Sequence, residues 1–332
     1  MTSMKLDVLG IGNAIVDVLS RTDDEFLATH QLSKGAMRLI DEPTAHTLYA
    51  DMGPGTEVSG GSAANTIAGV ASFGGRAAFI GKVRNDQLGE VFGHDIRAHG
   101  VEYATSMATS GAATARCLIL VTPDGERTMN TFLGASIGLA PVDVEPQLVE
   151  RAAVTYLEGY LWDPENAKQA FVKAAGLARA AGNKVALSLS DAFCVERHRE
   201  SFRELVHSQV DILFANEVEI MSLYQTPSFE EALAAARHDC PLVVLTRSEK
   251  GCVIAEGAAE AVAVPAHPVE RVVDTTGAGD LFAAGFLYGF TRGMAHAASA
   301  TLGTLAAAEV ISHIGARPEE NLADLAKRLH VI

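Results

Sequence analysis

Apolar positions along the chain change their spacing several times, and each change outlines an element. Val8-Leu9-Gly10-Ile11-Gly12 is a short apolar run that ends in glycines, which predicts a strand entering a tight turn. Polar stretches at 23–29 and 43–52 predict surface helices. After Gly60-Gly61-Ser62-Ala63-Ala64-Asn65, small apolar residues at Ala64, Ile67, Ala68 and Ala71 fall on one helical face, and Gly74-Gly75 ends it. Residues 77–80 predict a strand, followed by a helix to about Gly100.

At 114–133 the pattern turns to β: a run at 114–121, a Pro123-Asp124-Gly125 turn and a run at 127–132 make a hairpin. From 154 onward strand and helix alternate, with strands at 154–158, 185–189, 210–214 and 242–246 and helices at 165–181, 197–208 and 229–238. Last comes Leu281 to Phe290, where Phe282, Phe286 and Phe290 recur every four residues, so a helix begins near Gly277. The expected fold is α/β: one domain over 1–332, a doubly wound and mostly parallel sheet. A small β-sheet lid formed by about 15–55 and 102–133 is inserted in it. In such sheets ligands gather at the carboxyl ends of strands, and Asp17, Asn65, Asn216, Thr246 and Asp280 are expected at such ends or at helix starts.

Composition narrows the chemistry. The net charge of -15 disfavours nucleic acid as a partner, so an anionic ligand must be met by local amides, a metal or a few cations. Cys117, Cys194, Cys240 and Cys252 form no CxxC pair, which favours a reducing compartment without structural zinc. The chain reaches Asp7 with no basic-then-apolar leader, and no apolar run approaches the ~18 residues of a membrane span. The expectation is a cytoplasmic protein, monomer or homodimer, acting on a small molecule.

The densest chemistry lies in Asp274-Thr275-Thr276-Gly277-Ala278-Gly279-Asp280. Residues 277–279 carry little side chain, so their N–H groups at a helix start can approach an anion. An acid placed directly after such an anion hole can take the proton of a hydroxyl that attacks a held phosphoryl group. An ordinary helix start has the same composition. Asn216-Glu217-Val218-Glu219 reads either as a capped helix start or as a pair facing magnesium through water. Thr246-Arg247-Ser248-Glu249-Lys250-Gly251 is either a turn or a nucleotide loop. Gly10-x-Gly12 lacks the third dinucleotide glycine, since Ile15 stands there, and Gly60-x-Ser62 fails the nucleophile-elbow pattern at Ala64.

Taken in order, Gly-Asn-x-x-x-Asp at 12–17, Gly-Gly-x-x-x-Asn at 60–65, Asn-x-x-Glu at 216–219 and Asp-Thr-x-Gly-Ala-Gly-Asp at 274–280 resemble the ribokinase family, the PfkB carbohydrate kinases. The resemblance spans nearly the whole chain. It implies ATP and Mg2+ as cofactors, Asp280 as base, and Gly277, Ala278 and Gly279 as anion hole. It further implies Asn13, Asp17, Gly60, Gly61 and Asn65 on the sugar hydroxyls, Asn216 and Glu219 organising Mg2+ and the phosphates, and Thr246 and Gly251 along the nucleotide. Ser248 departs from the family's usual first glycine in that loop. K+ beside Asp274 and Thr276, against the 310–315 turn, is a further implication. Within the family, Gly159-Tyr160-Leu161, the stretch 187–193 and the stretch 211–217 are most similar to the adenosine kinases, implying transfer to a nucleoside 5′-hydroxyl. That similarity puts Ile15, Leu161 and Phe193 around the base with Phe132 or Trp162 nearby, although Trp162 reads equally well as core. Sugars such as ribose or fructose, or inosine and guanosine, are the alternatives.

Overall fold

Val8, Leu9 and Ile11 are all buried because the first strand lies in the middle of a sheet that helices cover on both faces. The computed structural model describes residues 5–331. In chain order the first half runs β1 Leu6–Ile11, β2 Ile15–Arg21, α1 Asp24–Thr29, β3 Met37–Leu39, α2 Glu42–Asp51, β4 Gly55–Gly60, α3 Ser62–Ser72 and β5 Ala77–Ile80. Then follow α4 Gln87–Ala98, β6 Glu102–Tyr103, β7 Ala115–Val121, β8 Arg127–Phe132, α5 Pro146–Arg151, β9 Ala152–Glu158, α6 Glu165–Ala180 and β10 Lys184–Ser188. The remainder is α7 Ala192–Gln209, β11 Ile212–Asn216, α8 Glu217–Tyr224, α9 Phe229–Asp239, β12 Leu242–Thr246, β13 Cys252–Glu256, β14 Val262–Val264, α10 Ala278–Thr291, α11 His296–Val310 and α12 Leu322–Arg328.

Among the described residues the larger sheet has the order β14-β13-β12-β11-β10-β9-β1-β5-β6, parallel except where β13 and β14 join its edge antiparallel. Alternate residues feed two cores. Val8, Val154 and Tyr156 face α3, α10 and α11, while Leu9, Ile11 and Leu157 face the side covered by α5 to α9. Chain order reverses at β1, which has β5 on one side and β9 on the other, so a crevice opens beyond the carboxyl ends of β1 and β9. Phe282 and Phe286 are buried as their fourfold spacing requires, and Phe286 meets Phe214 of β11 edge to face.

The smaller sheet has the order β3-β8-β7-β2-β4. Two boundaries differ from expectation. Glu102–Tyr103 pairs with β5 in the larger sheet, and the smaller sheet takes in β4, reaching Gly60 rather than ending near 55. Val16 and Val18 pack inward onto Leu27 and Leu48, which leaves Ile15 and Asp17 on the opposite face. Asp17 therefore stands within β2, not beyond the end of a parallel strand as expected. No described helix is long and apolar enough to cross a membrane.

Candidate active site

Helix α10 begins where the Gly-rich motif predicts. Gly277 is its N-cap in the left-handed region (φ 80°), a conformation suited to glycine, and the Cβ of any other residue there would press on Ala316 at 2.9 Å. At Gly279 a Cβ would meet nothing within 4 Å, so the space before the first turn is open. The Ala278 N–H donates back to the Thr275 carbonyl at 3.3 Å, the other first-turn amides have no acceptor within their own helix, and the helix dipole adds positive potential there. Asp280 stands on that turn as a first-turn acid. Its Oδ1 accepts from Ser62 Oγ at 2.6 Å and its Oδ2 from Asn65 Nδ2 at 2.9 Å. Desolvation raises its pKa, opposed by those two hydrogen bonds and by Arg317.

The Gly60-Gly61 turn delivers both donors. Gly61 needs its positive φ of 100° and its hydrogen side chain, because a Cβ would lie 2.1 Å from the Asn13 carbonyl. Gly60 is held open for Asp17, whose Oδ2 lies 2.3 Å from where a Cβ would project. Burial lifts the Asp17 pKa to about 6 against the pull of Arg317 and Arg127. Asn65 Oδ1 is buried with no hydrogen-bond donor, an unmet acceptor that a substrate hydroxyl would satisfy.

Asn13 was expected to face a sugar. Its side chain is instead 2% exposed and engaged internally: Nδ2 donates to Glu158 Oε1 at 2.7 Å, and Oδ1 accepts from Ser136 Oγ at 2.8 Å. Glu158, at the end of β9, also accepts from the backbone N–H groups of Asn13 and Ala63. Burial pushes its pKa to about 7, the largest of several opposing influences. This carboxylate bridges the ends of β1 and β9 and the start of α3.

At the suggested potassium position Asp274 and Thr276 have protein partners. Arg127 of β8 ion-pairs with Asp274, and its Nη1 also donates to Thr276 Oγ1 at 3.1 Å. The remaining Asp274 acceptors meet the N–H groups of Thr276 and Gly315, each at 3.0 Å. A guanidinium thus supplies the positive charge beside the anion-hole turn.

At the far end of the cleft, Asn216 and Thr246 are register partners at the ends of β11 and β12. Asn216 caps α8, and Glu219 returns its carboxylate to the Asn216 N–H at 2.9 Å and Nδ2 at 2.6 Å. The capped-helix reading of this pair is the one seen, with the two side chains engaged on each other and on the helix start. Burial raises the Glu219 pKa to about 7, with Asp191 and Asp280 adding to the rise. Among the described residues no three His, Cys, Asp or Glu side chains form a metal cluster. A magnesium ion held chiefly by phosphate oxygens and water suits that donor set. Ser248 occupies the missing-glycine position with φ 52°, so the loop keeps a left-handed backbone without glycine. Gly251 is required by protein contact, because a Cβ would lie 2.1 Å from the Val264 carbonyl.

The residues expected around a base lie in different surroundings. Leu161 is fully buried in the core shared with α6 and α7. Trp162 is core as well, stacked on Phe202 with Nε1 donating to Ser201 Oγ at 2.9 Å. Phe132 is 9% exposed beneath the Arg116 guanidinium, Ile15 is half-buried at the start of β2, and Phe193 is 74% exposed on the first turn of α7. The neighbour of Leu161 is the accessible one: Tyr160 is 39% exposed, and its hydroxyl feels the charges of Asp191, Asp280 and Glu219. A 3-10 turn over Gly159–Trp162 reverses which residue points inward, which strand-like spacing could not indicate. Arg127, Arg317, Glu158 and Ser62 escaped the sequence reading of the site, and of these only Ser62 lay inside a quoted motif.

The model of the pfkB family carbohydrate kinases matches residues 49–322. A solved adenosine kinase from Sinorhizobium meliloti is 54% identical, covering 98% of this chain and 99% of that one, with a TM-score of 0.90. A solved probable sugar kinase from Rhizobium etli CFN 42 is 52% identical, covering 99% of this chain and 100% of that one, with a TM-score of 0.92. Fructokinase-1 of Oryza sativa subsp. japonica is 30% identical over 264 residues, 77% of this chain and 81% of that protein.

Proposed function

The chain belongs to the pfkB family of carbohydrate kinases, and from that premise we propose that it transfers the γ-phosphoryl group of ATP to the 5′-hydroxyl of adenosine, giving AMP and ADP. The observation that carries this reading is the Asp280 carboxylate, fixed by Ser62 and Asn65 on the same helical turn as the open Gly279. The likeness to an adenosine kinase over nearly the whole chain supports the nucleoside as acceptor.

Phosphoryl transfer passes through a loose, charged state, so positioning and charge stabilisation carry the acceleration. ATP with Mg2+ supplies the phosphoryl group and neutralises its charge, with Asn216 and Glu219 as the residues that would face the metal through water. The amides of Gly277, Ala278 and Gly279 hold the transferring group. Asp280 accepts the hydroxyl proton late, when the incoming oxygen has become acidic, so ordinary carboxylate basicity suffices. Asp17 and the unmet Asn65 Oδ1 orient the ribose hydroxyls. Ile15, Phe193 and Tyr160, half-buried or exposed, are the side chains offered to the base. The smaller sheet acts as a lid that excludes water, which would otherwise intercept the phosphoryl group.

ATP consumption in Mg2+ buffer against adenosine, inosine, guanosine, ribose and fructose tests the proposal. Preferential turnover of adenosine at micromolar concentration supports it. Turnover of a free sugar alone keeps the role of Asp280 and transfers the acceptor to the sugar class, in keeping with the likeness to a probable sugar kinase and a fructokinase.

A further inference from the structure

Gly315, Ala316 and Arg317 touch three separated parts of the site. The Gly315 N–H binds Asp274 at 3.0 Å, Ala316 packs against the left-handed turn at Gly277, and Arg317 reaches the Gly60-Gly61 turn. The guanidinium is used as a fork. Nε and Nη2 donate to the Ser59 carbonyl at 3.0 and 2.7 Å, Nη2 also to Ser59 Oγ at 2.9 Å, and Nη1 to the Ala64 carbonyl at 2.8 Å. Ser59 is pinned from its other side as well, its N–H donating to Asp95 Oδ2 at 2.8 Å. Those two anchors flank residues 60–63, the arch that carries Ser62.

We propose that Arg317 is a positioning residue: by clamping Ser59 to Ala64 it fixes the width of the arch and so sets Ser62 and Asn65 on the Asp280 carboxylate. The inference rests on the reading of Asp280 as proton acceptor. All four hydrogen bonds run to neutral oxygens although Asp17, Asp95 and Asp280 lie close enough to act on its charge. What the site draws on is the planar donor geometry, which an ammonium cannot reproduce. Burial also makes the group costly to keep charged, pulling its pKa down to about 10. A guanidinium spent on two carbonyls and a hydroxyl points to alignment of the arch rather than ion pairing.

The test compares Arg317→Met, Arg317→Lys and Arg317→Ala with the wild-type enzyme in kinetics and in amide hydrogen exchange. Loss of the clamp is expected to lower kcat about a hundredfold, the order expected for misplacing reacting groups by an ångström, with little change in the KM for ATP. Guanidinium ion should restore part of the rate to Arg317→Ala, and Arg317→Lys should remain slow despite its charge. Exchange should quicken in peptides covering 59–66 and 274–281 and not across β9 to β12. Wild-type kcat in Arg317→Lys together with unchanged exchange overturns the proposal. Should Arg317→Met not fold, Arg317→Lys carries the test. If the wild-type protein phosphorylates none of the five acceptors, the functional reading fails, while local exchange still decides whether the clamp exists.

Discussion

Arg127 of β8 and Asp274 of the loop before α10 are ion-paired across the cleft, with side chains only 9% and 6% exposed. The pair joins the smaller sheet to the Gly-rich turn before α10, 147 residues away in sequence. Because a guanidinium already sits on Asp274 and Thr276, initial rates in potassium, sodium and choline buffers are expected to agree within about twofold. Arg127→Met leaves the Asp274 carboxylate buried and unpaired, and should destabilise the fold by about 3 kcal/mol or more in denaturant titration. Strong potassium activation of the wild-type enzyme would overturn the idea that Arg127 stands in for the ion.

What could be read in advance was whatever is encoded locally. The spacing of Phe282, Phe286 and Phe290 placed α10, and the Pro123-Asp124-Gly125 turn placed the β7-β8 hairpin, because side-chain period and turn chemistry act over a few residues. The Gly-rich motif marked the start of α10 and the first-turn position of Asp280 for the same reason. What escaped depends on distant partners. Arg127 and Arg317 stand in unremarkable stretches and matter through contacts made far along the chain. Asn13 seemed free to meet a ligand until Glu158 and Ser136 arrived from other strands and turns. Leu161 is buried and its neighbour Tyr160 exposed on a single 3-10 turn, whose facing depends on the packing around it.

Asp280→Asn keeps the shape of the site while removing the proton acceptor. Single-turnover phosphoryl transfer is expected to slow by about 10²–10⁴-fold, the usual range for a general base. Calorimetric adenosine binding should change little. Undiminished transfer would remove Asp280 from the mechanism.

Raised Asp280 basicity fixes the sign of the pH dependence. The carboxylate must be ionised to accept a proton, and desolvation moves its pKa above the ordinary value of 3.8. The acid limb of kcat/KM should therefore lie higher than for an exposed aspartate, with activity lost as pH falls through the shifted value. A limb at the ordinary aspartate position would mean that the kinetically relevant group is not this one.

Glu158 offers a stability test away from catalysis. Its pKa rises from 4.5 to about 7 on folding, so between those values the folded state holds a proton that the unfolded state has lost. Its contribution is therefore present below about 4.5 and is lost as pH rises through about 7. The limiting slope is about 1.4 kcal/mol per pH unit. Glu158→Gln cannot titrate, so the stability of the wild type relative to the variant should be greatest below about pH 4.5 and should fall as pH rises through about 7. A wild type that instead gains stability relative to the variant on going to neutral pH would show the buried group to be ionised, held by the N–H groups of Asn13 and Ala63.

Gly279→Ala separates folding from anion binding. Beyond its own helical turn nothing lies within 4 Å of the added methyl group, and Gly279 is not among the glycines with positive φ. Alanine also has the higher helix propensity, by up to about 1 kcal/mol in a helix interior and less in a first turn. The melting temperature should hold steady or rise slightly. The open space is where the transferring phosphoryl group would approach the amides, so the methyl group is expected to obstruct it. A fall of about tenfold or more in kcat/KM for ATP, with thermal stability intact, is the predicted outcome. Wild-type kinetics in Gly279→Ala would mean that the phosphoryl group does not approach this turn.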